Sequence, residues 1–151
     1  QERVVEFRRR RRGDRGVTGV RIFGIDPGSI RTGYGCVHTD GSRHRLISCG
    51  AISTPAGALL PDRLLRIYRA LVHLISEAQP DLILAQDLCR VCAIPSGDVE
   101  EALDVLGCRA EVLSLDPARL DDVIACVGAV GAATDRFAEA GALMASLRGL
   151  P

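Results

Sequence analysis

The chain of 151 residues contains no lysine, asparagine or tryptophan, a single methionine, and only 3% aromatic residues. All of its basic charge is therefore arginine, a skew that points to a GC-rich coding sequence rather than to a particular chemistry. No apolar run approaches the roughly 18 residues of a membrane span, and no apolar secretory segment stands at the start, so a cytoplasmic protein is expected. A zinc site is short of ligands. Of the six cysteines only Cys89-x-x-Cys92 has ligand spacing, Cys108 and Cys126 stand singly, and the histidines are distant in sequence. The cysteines lie in apolar stretches, as small core residues in a reducing compartment do.

What is present is unevenly distributed. Residues 1–21 carry eight arginines against three acids, whereas residues 22–151 carry eleven arginines against sixteen acids. Zero net charge thus conceals a basic tail on an acidic body. Residues 1–19, with Arg8 to Arg12 unbroken, have no apolar periodicity and read as a disordered basic arm or as a non-native upstream segment. Residues 20–151 read as one α/β domain, enough chain to bury a core.

The chemistry-bearing stretch is Ile22-Phe23-Gly24-Ile25-Asp26-Pro27-Gly28. A short apolar strand delivers one carboxylate to its end, and Pro-Gly breaks the strand there. Such a strand-end acid suits a metal ligand or an acid/base group, because the strand leaves it little positional freedom. It also suits a turn aspartate satisfied by nearby backbone N–H groups. Two further strands, Gly33 to His38 and Arg45 to Ile52, are joined by Thr39-Asp40-Gly41-Ser42, a hairpin signal. A helix from Pro61 follows, with Leu64, Leu65, Tyr68, Leu71, Val72 and Ile75 expected inward, and then a buried strand, Leu82 to Ala85, parallel to the first.

Gln86 and Asp87 end that fourth strand, and whichever shares the face of Asp26 becomes its neighbour. Beyond them, Ser96 is expected to cap a short helix, Val112 to Leu115 to form a fifth strand, and Asp116-Pro117 to start a helix with Leu120, Val123, Ile124 and Val127 inward. Thr134 is expected to cap a last helix carrying Phe137, Met144 and Leu147.

Gly24-Ile25-Asp26-Pro27-Gly28, Arg31-Thr32-Gly33-Tyr34-Gly35, Cys49-Gly50-Ala51-Ile52-Ser53-Thr54-Pro55, Arg63-Leu64 and Gln79-Pro80-Asp81 together resemble the start of RuvC, the bacterial Holliday-junction resolvase family. The likeness runs over about residues 20–85. It implies a ribonuclease H-like fold with a mixed sheet, a homodimer, branch-migration motor partners, and Mg²⁺-dependent nicking of four-way DNA junctions in recombination and repair. It also implies four acidic metal ligands, of which Asp26 matches the first. Gln86 stands where the family has Glu, and its amide offers a neutral oxygen without the charge that holds an ion.

Asp87 is one residue along, where a strand turns its side chain to the other face. Asp135 resembles a non-catalytic position, and the family's C-terminal helix with two further acids is expected to be missing. Arg31 is either a phosphate contact beside Asp26 or an ordinary exposed loop arginine. The expectation is a resolvase by lineage with impaired catalysis, by divergence or by a slipped reading frame after residue 85. Two alternatives remain: a non-catalytic ribonuclease H-like module binding nucleic acid or a protein assembly, and a metal or redox protein built on Cys89-x-x-Cys92.

Overall fold

The computed structural model describes residues 19–86 and 108–149. Strands β1 (Val20–Asp26), β2 (Arg31–Thr39) and β3 (His44–Ser53) precede helix α1 (Leu60–Ala78), which leads to β4 (Leu82–Gln86). Strand β5 (Glu111–Leu115) and helices α2 (Leu120–Ala133) and α3 (Phe137–Arg148) complete the described elements. The sheet order is β3-β2-β1-β4-β5. The first three strands are antiparallel neighbours, whereas β4 runs parallel to β1 and β5 parallel to β4. The β2–β3 and β1–β4 pairings follow from the connections: a four-residue turn reverses the chain between β2 and β3, while α1 returns it so that β4 runs alongside β1.

Alternation along the strands assigns their side chains to two faces. Phe23, Cys36 and Ile83 share one face with Ile75 and Ala78 of α1, and they form the core with Cys108. Phe23 has no exposed surface and stacks on Tyr34 at 6.1 Å between ring centroids. The opposite face carries Ile22, Gly24 and Asp26 of β1, because Gly24 pairs with Gly35 and Asp26 with Gly33.

The end of α1 is tied to the start of β1. Gln79 takes a left-handed conformation (φ 46°) and donates its N–H to Ile75. The Arg21 guanidinium donates to the Ala78 carbonyl at 2.8 Å, a cation set against the negative end of the helix. The β2–β3 turn is closed by Asp40, whose carboxylate accepts the N–H groups of Ser42 and Arg43, both at 2.8 Å. Those bonds hold its carboxyl below the ordinary aspartate value. The turn is accordingly firm above that ordinary value and loosens as pH falls through the lowered one.

The helix faces differ from those expected. On α1 the sheet is met by Ile67, Leu71, Leu74, Ile75 and Ala78, while Leu64, Leu65 and Tyr68 are exposed. The helix carries two adjoining apolar stripes, and periodicity alone does not say which one meets the sheet. Helix α2 begins at Leu120 with Arg119 as its cap, not at Asp116-Pro117. Of the four residues expected inward there, Ile124 is buried, and Leu120 is 77% exposed.

Thr134 does not cap α3. It closes α2 by donating to the Val130 carbonyl at 2.8 Å, and Arg136 precedes α3 instead. Phe137 is exposed, and Ala140 is the buried residue of α3. The α2–α3 crossing is set by small residues: a Cβ on Gly131 would collide with the Ala140 side chain, and one on Gly128 would press the Met144 sulfur at 3.1 Å. Gly131→Val is expected to cost about 2 kcal/mol or more by overpacking, read as a lower urea midpoint at unchanged slope. The Ser96-capped helix, Cys89-x-x-Cys92 and Asp87 lie outside the described residues.

Candidate functional site

The site grows from one fact of register. β1 and β4 are parallel neighbours with Ile25 opposite Ala85, so the next residues, Asp26 and Gln86, end adjacent strands side by side and on one face. That face is opposite the α1 core. Beside them an open cleft of about 580 Å³ is lined by Asp26, Gly33, Gly35, Gln86, Leu115, Pro117, Val123 and Cys126, among others. Its floor is backbone, because Gly24, Gly33 and Gly35 contribute no side chains. A Cβ on Gly33 would come within 3.4 Å of the Asp26 Cβ and 3.6 Å of its Oδ2, so this glycine keeps the carboxylate open.

Among the described residues the Asp26 carboxylate makes no hydrogen bond and no ion pair. It is exposed, and the turn that follows it is held by other groups. Arg31 starts β2 and shares the face of Gly33, two residues on, and hence of Asp26. It is likewise exposed and without a partner among the described residues. Gly28 makes the tight loop between the two possible, since a Cβ there would stand 2.5 Å from the Arg31 carbonyl oxygen. Gly28→Ala is expected to displace the loop at a cost of about 1–3 kcal/mol, seen as changed amide shifts at residues 27–31.

Asp135 is placed far from this group. Its neighbour Arg136 donates to the Asp40 carbonyl at 3.3 Å, at the tip of the β2–β3 hairpin. That tip adjoins the beginning of β1, roughly 20 Å from the Asp26 end at the rise of a seven-residue strand.

Among the described residues, the side chains at these two strand ends do not fit a pair of divalent ions. Among the described residues no group of three or more His, Cys, Asp or Glu side chains could hold a metal. At the adjacent ends of β1 and β4, one carboxylate stands beside one amide. Cys126 is no substitute: burial, then the nearby Asp122 and Asp116 carboxylates, raise its thiol above the ordinary value, so it stays protonated and a poor ligand at neutral pH. With iodoacetamide near pH 7, exposed Cys49 is expected to be alkylated before Cys126, and buried Cys36 and Cys108 only on unfolding; peptide mass mapping reads the order.

The parts that three residues play in shaping this region were not legible from the sequence. Thr32 and Thr54 are buried and hold the loop after Asp26, and Cys126 faces the cleft. A threonine in a strand looks ordinary until its neighbours are known. The one available hint was Thr54, which falls on the core-facing alternation with Ile52 just before Pro55.

The family model described as crossover junction endodeoxyribonuclease RuvC matches residues 22–91. The chain is similar to the RuvC of Chloroflexus aggregans, at 44% identity over 69 residues, covering 46% of this chain and 42% of that protein. It is similar to the RuvC of Alkaliphilus oremlandii at 42% identity over 67 residues, covering 44% and 41%. The matched segment thus spans about two fifths of the length of these curated relatives. In fold, it is similar to Thermus thermophilus RuvC, with a TM-score of 0.51 at 20% identity over 73% of this chain and 79% of that one. The same RuvC in complex with Holliday junction substrate gives a TM-score of 0.51, covering 74% and 79%. The five-stranded mixed sheet is therefore of the ribonuclease H-like type seen in RuvC, and residues 22–91 are similar in sequence to the first part of RuvC proteins.

Proposed function

We propose that this chain is a RuvC-type protein that binds branched DNA at the rim formed by Asp26 and Arg31, with cleavage impaired by an incomplete ligand set. One observation carries the reading: the strand ends that RuvC likeness marks as the metal site lie side by side, yet bring one carboxylate and one neutral amide. Phosphodiester hydrolysis by a resolvase of this type depends on divalent metal, Mg²⁺ by the resemblance, held by clustered carboxylates. Gln86 offers an oxygen of the right hardness but no charge.

The chain's own residues are left with binding and orientation. Arg31 supplies a fixed positive charge and a planar donor fork to a backbone phosphate. The glycine floor lets a strand of nucleic acid approach the sheet backbone closely. Asp26 stands exposed at the edge of that floor. By the same likeness the protein acts as a homodimer alongside branch-migration motors in the cytoplasm. Among the described residues no helix is long and apolar enough to cross a membrane.

Electrophoretic mobility of a synthetic four-way junction against linear duplex of equal length tests the binding. Preferential retardation of the junction, weakening steeply with salt, is expected. Equal retardation of both, or of neither, would refute the reading.

A further inference from the structure

Thr32 and Thr54, 2% and 7% exposed, are the only buried polar or charged residues among those described. Both direct their hydroxyls at one loop. Thr32 Oγ1 donates to the Gly28 carbonyl at 2.8 Å. Thr54 Oγ1 donates to the Ser29 carbonyl at 2.9 Å and lies 3.2 Å from that of Ile30. The Ile30 carbonyl also accepts the Thr54 N–H at 2.9 Å. Three successive carbonyls between Asp26 and Arg31 are therefore pulled toward two buried side chains.

The direction of that pull follows from register. Thr32 pairs with buried Ile52 across β2 and β3, and Thr54 lies two residues beyond Ile52, so both hydroxyls lie on the core face. No peptide bond among the described residues is cis, and in a planar trans peptide the C=O and N–H point in opposite directions. With the Gly28 and Ser29 carbonyls turned toward the core, the N–H groups of Ser29 and Ile30 turn away from it, toward the face of Asp26 and Arg31. Neither N–H has an acceptor among the described residues, and both residues are exposed.

Consecutive outward N–H groups beside an unpaired arginine form a receptor for a tetrahedral anion. We infer that the Gly28–Arg31 loop is a phosphate-binding loop, in which the Ser29 and Ile30 N–H groups receive a phosphate oxygen and Arg31 balances its charge. Thr32 and Thr54 are its positioning residues, acting through the peptide planes and not by touching the ligand. Arg31 also offsets the repulsion that the Asp26 carboxylate alone would exert on an anion. The phosphate is that of a nucleic-acid backbone, a source that rests on the DNA-binding reading above; a free phosphate ion shares the same chemistry.

The test is an amide chemical-shift titration of the ¹⁵N-labelled full chain, with a four-way DNA junction in one arm and inorganic phosphate in the other. Both ligands are expected to move the Ser29 and Ile30 resonances. Thr54→Val is expected to weaken junction binding about tenfold, the scale of charged hydrogen bonds lost when the donors turn, while Thr54→Ser stays within about twofold of the parent. Junction binding that leaves Ser29 and Ile30 unmoved overturns the loop and spares the DNA reading. Shifts with phosphate when the junction does not bind at all keep the loop and refute the DNA reading. No shift with either ligand overturns the loop, and equal weakening by Val and Ser removes the role given to the Thr54 hydroxyl.

Discussion

Phe23→Ala is expected to destabilise the protein by about 3–5 kcal/mol, a large share of the stability of a domain this size. Phe23 sits in the central strand with no exposed surface, is covered by Ile75 and Ala78 of α1, and stacks on Tyr34. Its removal leaves a cavity that the flanking strands cannot close, because β1 is hydrogen-bonded on both sides. Urea unfolding followed by far-ultraviolet circular dichroism measures the loss. A change below about 1 kcal/mol would mean that α1 does not cover this strand as described. The functional consequence is direct: the strand that Phe23 anchors is the one that ends at Asp26.

Arg31→Glu is expected to lower junction affinity by about tenfold or more at moderate salt, since it replaces with an anion the cation proposed to meet a backbone phosphate. Arg31→Ala is expected to weaken binding less, and to reduce the slope of log K against log salt by about 1, one counterion's worth. Fold stability should be almost unchanged by either, because the Arg31 side chain is exposed and makes no hydrogen bond or ion pair among the described residues. Filter binding over a salt series separates the two variants. An unchanged affinity for both would make Arg31 an ordinary surface residue and move the DNA contact elsewhere.

The half of the fold that positions the site was legible because its signals are local. The Asp40-Gly41 turn announces the hairpin, Pro27-Gly28 announces the end of β1, and a helix between two apolar runs announces their parallel pairing. From these alone the neighbourhood of Asp26 and either Gln86 or Asp87 follows, and the register selects Gln86. The helix faces were not legible. In α2 and α3 the decisive contacts are made by Gly131 and Ala140, residues whose smallness carries no periodic signal. In α1 both apolar stripes look alike, and the choice between them is made by the sheet. The loop after Asp26 was legible as a turn, yet its hydrogen-bond pattern depends on Thr54 folding back across 25 residues, which no local rule reports.

The site is proposed to keep the architecture of a resolvase centre while lacking its charge. This is tested most directly by incubating the purified chain with a four-way junction and Mg²⁺ and resolving the strands on a denaturing gel. Retarded but intact junction is predicted. Paired symmetric nicks that appear with Mg²⁺ and vanish in Asp26→Asn would contradict it, because they would show that one carboxylate and Gln86 suffice or that acids outside the described residues complete the site.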